Sequence, residues 1–124
     1  MSKNEILKLF PEPVFKYHIE DSKNLNSELS NYIYTLHDED KKGIERSNRG
    51  GWHSKNFNIS DKNSIQHKFA LKVQKYILDS FMNLGWKTKD TNIQIKEMWA
   101  IINKKNDFNV IHTHPNCYLS AAYY

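Results

Sequence analysis

The hydrophobic pattern of the chain changes period at Gly85, and that change constrains the fold more than any other feature. Before it, Ile65, Phe69, Val73, Ile77, Phe81 and Leu84 recur at helical spacing, one stripe of an amphipathic helix over residues 64–84. Ser60 through Ser64 supply candidate N-caps, and Gly85 stands where a left-handed residue closes a helix. After it, Ile93, Ile95, Glu97, Trp99 and Ile101 alternate with Gln94, Lys96, Met98, Ala100 and Ile102. Such alternation is the period of a strand. Asn103 to Asp107 reads as a hairpin turn, with further strands over 108–113 and 118–124.

Upstream, Leu25, Leu29, Ile33 and Leu36 predict a helix over 22–36, capped by Asp21 or Ser22. Residues 11–19 alternate as a strand, and Pro11 and Pro13 suit an edge or a strand start. Residues 44–60 have no period and read as a loop, in which Gly50-Gly51 marks a tight turn or a close backbone approach. The fold class that follows is α+β, in one domain over 1–124. It is helical to about residue 85 and antiparallel β from about residue 90. The chain stops at LSAAYY inside what reads as a buried strand, which predicts that the domain continues past Tyr124.

Composition narrows the classes. Hydrophobic residues make up 39% and aromatics 13%, so a core requires Phe, Tyr and Trp. No apolar run is long enough for a membrane span, and MSKNEILKLF lacks the apolar stretch of a secretory signal. A lone Cys117 excludes an internal disulfide framework and a Cys-based zinc cluster. These features predict a soluble, cytoplasmic protein with no membrane partner. The net charge of +4 rests on 16 Lys and only 2 Arg, scattered among 14 Asn. Arginine carries most bidentate base and phosphate recognition, so nucleic-acid binding is not expected.

The sharpest chemical signal is His112-Thr113-His114-Pro115. On a strand, positions i and i+2 share a face, so two imidazoles there can hold one metal ion of the Zn, Cu, Fe or Ni type. Two ligands do not complete a site, and two surface histidines beside a turn would look the same. Trp99, Asn109, Asn116, Ser120 and Tyr123 surround the pair with the mixed polar and aromatic composition of a small-molecule pocket. For Trp99 and Tyr123, a plain core role is equally open. A second candidate is Ser47 to Ser54. There Arg49 can hold a carboxylate, and His53 can serve as a further metal ligand or a base. Cys117 is a thiolate candidate or a small packed residue. His18, His37 and His67 read as surface or helix-face residues.

Taken together, the blocks LFPEPVF, GIERSNRGGWHS, MWAIIN and FNVIHTHPNCYLSAAYY resemble a family of 2-oxoglutarate- and Fe(II)-dependent oxygenases of bacteria and phages. The resemblance implies N-terminal helices packed on the first half of a double-stranded β-helix, or jelly roll. It implies Fe(II) as cofactor and 2-oxoglutarate as cosubstrate, decarboxylated to succinate while O2 hydroxylates a substrate C–H bond. His112 matches the first ligand of the family's facial triad. His114 falls where the family normally has a carboxylate. The distal His and the basic residue that anchors 2-oxoglutarate would lie beyond Tyr124. Trp99, Asn103 and Tyr123 are candidates for the cosubstrate pocket, and residues 44–60 for a lid. The substrate, a small molecule or a protein, is not specified.

Two alternatives stand beside this reading. A cupin-like metal-binding module also uses H-x-H on a strand, but normally places a Glu a few residues later, and no acidic residue follows His114. A non-catalytic interaction domain would use exposed aromatics such as Trp52 and Tyr124. Half a jelly roll leaves an open sheet edge, which predicts low solubility or a homodimer.

Overall fold

The computed structural model describes residues 11–124. The Leu9-Phe10 start of the LFPEPVF block lies outside them. The fold is α+β: two helices and two small antiparallel sheets of two strands each. Helix α1 spans Lys23–Glu39 and packs on α2, Ile65–Asn83. The strands are β1 (Asn48–Arg49), β2 (Trp52–His53), β3 (Ile101–Ile102) and β4 (Phe108–Asn109). A 3-10 turn, Thr88–Asp90, follows α2.

Helix α2 forms where its period predicts it. The Ser64 hydroxyl accepts the His67 N–H at 3.2 Å, capping the first turn. At the far end Gly85 adopts φ +84°. Trp86 N–H then bonds back to Phe81 O at 3.0 Å, and Gly85 N–H to Met82 O at 2.9 Å. This pair of bonds is the Schellman closure, and its usual apolar clasp is present as the Phe81 and Trp86 rings, 5.1 Å apart. Helix α1 buries Leu29 and half-buries Leu25, Ile33 and Leu36 as its stripe predicts, and it runs three residues further, to Glu39.

The β part differs from the pattern in the sequence. Residues 44–60, read there as a loop in the helical part, supply β1 and β2. The predicted hairpin between 93–102 and 108–113 does not form. Its turn exists, with Asp107 N–H on Lys104 O at 3.0 Å, but β3 pairs with β2 and β4 with β1. One stretch, 47–57, therefore runs antiparallel along 98–110. Val110 N–H donates to Ser47 O, Ser54 N–H to Ala100 O and Phe57 N–H to Met98 O. Residues 103–107 loop out opposite Gly50-Gly51. Both glycines are left-handed, at φ +70° and +63°. A Cβ on Gly50 would overlap the Asp107 carboxylate, and one on Gly51 the Asn103 carboxamide. Only glycine fits at this step between ladders.

Two further predicted strands are absent among the described residues. Residues 11–19 dock through side chains instead: Ile19 is buried, and the Tyr17 hydroxyl donates to Asp79 Oδ2 at 2.6 Å. Pro11 and Pro13 carry no N–H for a ladder. Residues 118–124 likewise attach by rings. Tyr118 packs on Trp86 and Tyr123 on Phe69, with ring centres 4.9 Å apart in each case. The core holds Ile19, Leu29, Trp52, Ala70, Phe81 and Ala100. No helix among the described residues is long and apolar enough to cross a membrane.

Candidate functional site

Strand β2 is the most enclosed stretch of the β part. Trp52 is 5% exposed and sends its indole N–H to Asp40 O at 2.7 Å, with His37 edge-on to its ring. The expectation of an exposed Trp52 available to a partner is thus corrected: α1 and its C-terminal turn cover it. Ser54 is the most deeply buried side chain, at 2% exposure. Its hydroxyl accepts the Ala100 N–H at 2.9 Å and donates to Lys55 O at 2.7 Å. The lid expected over 44–60 is corrected on the same ground, because the centre of that segment is locked into the ladder.

His53 points to the other side of the strand from Trp52. It is 5% exposed, and its Nδ1 lies 2.6 Å from Ser54 O. A carbonyl only accepts, so Nδ1 carries the proton and Nε2 keeps the lone pair. In the register His53 faces Ile101, which makes Trp99 its diagonal neighbour on the same face. The imidazole and the indole stack at 5.5 Å with planes 14° apart. The Trp99 indole also stacks on His114, at 5.7 Å and 27°. His114 meets His112 edge-on at 4.7 Å. Four rings therefore form one row: His53, Trp99, His114, His112.

His112 and His114 follow β4 in irregular backbone that belongs to no strand, before a turn closed by Cys117 N–H on His114 O at 3.3 Å. His112 is exposed and its Nδ1 lies 2.7 Å from Val110 O, so Nε2 is again the free nitrogen. Metal-bound histidines typically spend the second ring nitrogen on a carbonyl or carboxylate in this way. Two imidazoles on one ion, each at about 2.1 Å, place their ring centres on the order of 5 Å apart. The observed spacing suits such a pair. No group of three His, Cys, Asp or Glu side chains that could hold a metal is present among the described residues. His53 touches the indole, which in turn touches His114.

Of the residues singled out in the sequence, the structure gathers His112, His114, Trp99 and His53. Asn103 lies apart, against Gly51. Tyr123 packs on Phe69 and donates its hydroxyl to Asn26 Oδ1 at 2.5 Å, which ties the last residues to both helices. Arg49 turns its guanidinium back onto the carbonyls of Arg46 and Asn48. Cys117 is exposed. The pairing of His53 with Trp99 escapes the sequence pattern, since it depends on a strand register that the aperiodic 44–60 stretch does not announce.

Compared with known proteins, the chain matches no protein-family model, no curated protein and no solved structure.

Proposed function

We propose that the chain is a 2-oxoglutarate- and Fe(II)-dependent oxygenase in which His112 and His114 are two of the iron ligands. The observation that carries this reading is the pair itself: two imidazoles 4.7 Å apart, one with its Nδ1 committed to a backbone carbonyl and its Nε2 free. In this reading the two small ladders are the first strands of a double-stranded β-helix. Bound by these residues, Fe(II) with 2-oxoglutarate would supply the O2-dependent chemistry that converts a C–H bond to an alcohol.

The residues of this chain have simpler tasks. Val110 O fixes the His112 ring, and Trp99 covers one face of His114, keeping water from that side. Of the three cosubstrate-pocket candidates Trp99 is the one beside the pair, while Asn103 stands against Gly51 and Tyr123 against Phe69 and Asn26. The third ligand and a cation for the 2-oxoglutarate carboxylate would come from outside the described residues. A neutral His114 in place of a carboxylate leaves one more positive charge on the metal centre, which favours an anionic ligand such as 2-oxoglutarate.

The test is an anaerobic Fe(II) and 2-oxoglutarate titration followed by succinate release on admission of O2. Saturable binding and succinate formation, both abolished in His112→Ala and His114→Ala, are the expected results. A second reading, a non-catalytic interaction domain, draws on the full exposure of Ile111 and Tyr124 and the 79% exposure of Tyr118. It predicts no metal binding and no effect of His112→Ala.

A further inference from the structure

The row of rings has an inner end that the oxygenase reading leaves unused. His53 lies on a strand whose every neighbour is pinned. Ile44 N–H donates to its carbonyl at 2.9 Å, Ser54 beside it is buried, and its Nδ1 proton goes to Ser54 O. Trp99 is different. It lies just before β3, with Met98 O and the Ala100 amide anchored on either side of it. Its backbone is held, but its indole plane is set by what it stacks on. His114 has still less support: it follows the last strand and is only half-buried. Rigidity therefore falls along the row from His53 to Trp99 to His114.

We infer that His53 is a positioning residue that acts on His114 through the Trp99 indole. The flat His53 ring, parallel to the indole within 14°, fixes the plane of Trp99, and the indole in turn presents a face against which His114 is oriented. The function is that of an outer support that aims a ligand rather than touching the metal. Here it works through stacked faces where such supports usually work through hydrogen bonds. The consequence for metal binding rests on the oxygenase reading; the effect on the His114 ring does not.

Two variants separate face from volume. His53→Phe keeps a planar ring without nitrogens, and His53→Leu fills similar space without a face to stack on. The readouts are the His114 ring-proton resonances, which the indole ring current moves upfield, and the affinity for Mn(II) alone. The Phe variant is expected to keep both at wild-type values. In the Leu variant the His114 resonances return to those of a free histidine, and Mn(II) binds about tenfold more weakly, the scale of a lost outer partner. Should the Leu variant fail to fold, Trp99→Phe against Trp99→Leu reads the same chain of stacking one ring further along. A folded Leu variant with unchanged His114 resonances overturns the inference, as does a Phe variant as defective as the Leu one. A wild-type chain that binds no Mn(II) removes the oxygenase reading instead, and the resonance comparison still decides the role of His53.

Discussion

The Nδ1 of His112 faces the carbonyl oxygen of Val110 at 2.7 Å, two residues back along the same chain. The ring is thereby held as one tautomer by its own backbone, before any ligand arrives. A long-range nitrogen–proton spectrum is expected to show His112 protonated at Nδ1 in the neutral imidazole. Titration with Zn(II) should then perturb Nε2 and leave the Nδ1 proton in place. His112→Ala should weaken Zn(II) binding by at least about tenfold, since even the loss of a ligand's outer partner costs that much. The opposite tautomer would remove the ready-made nitrogen.

Two glycines offer a matched comparison. Gly51 and Gly85 both have positive φ, at +63° and +84°. A Cβ at Gly85 meets nothing within 4 Å, whereas one at Gly51 overlaps Asn103 and comes within 3.0 Å of Ile102 O. Gly85→Ala should therefore cost only the left-handed backbone penalty, about 1 kcal/mol. Gly51→Ala should cost about 3 kcal/mol, because the 103–107 turn must also shift. Urea unfolding of the two variants checks the order. Equal losses would mean that the turn does not rest on the glycine pair.

Ser54→Ala removes the acceptor of the Ala100 N–H at the centre of the ladder. The amide would be left buried and unpaired, a loss of about 1–3 kcal/mol. Thermal unfolding gives the value. A loss near zero would show that Ala100 finds another acceptor.

Tyr17 supplies a pH signature at the alkaline end. Its phenol donates to the Asp79 carboxylate, a bond the phenolate cannot make, so its pKa lies above the ordinary tyrosine value. A group whose pKa is raised by folding lends stability below its unfolded pKa and loses it as pH climbs through the folded one. The Tyr17 contribution should therefore be intact at neutral pH and fade above pH about 10. Burial also raises the Tyr32 phenol, so absorbance titration should show more than one late-ionising tyrosine, and the part due to Tyr17 should be lost in Tyr17→Phe and move back toward the ordinary range in Asp79→Asn.

What the sequence made legible was local. Helix α2 carries its own start in Ser64 and its own stop in Gly85, and both signals act within a few residues of where they are read. The His112–His114 pair is legible for the same reason, as two residues apart in extended chain share a side. The strands were not. Strand β2 is buried on both sides, with Trp52 under α1 and His53 under Trp99, so it shows no alternation to detect. The alternating run at 93–102 predicts one long strand, yet only Ile101–Ile102 forms one, and its partner is β2 rather than 108–113. Periodicity tells which way side chains face; it is silent on which distant strand lies alongside.

Where 47–57 runs along 98–110, the Ser47 and Asn109 side chains meet across 62 positions of sequence, with all of α2 between them. Closing a loop of that length costs on the order of 4 kcal/mol in chain entropy, against a handful of backbone bonds. Helices, whose contacts are local, come first on such a landscape, and the long-range pairing condenses onto them afterwards. The stacked imidazoles and indole straddle that closure, with His53 on one bank and Trp99 on the other. Trp99, and with it His114, therefore meets His53 only in the last step of assembly. A ligand that bound only when Trp99 lies against His53 would hold the whole loop closed and slow its opening.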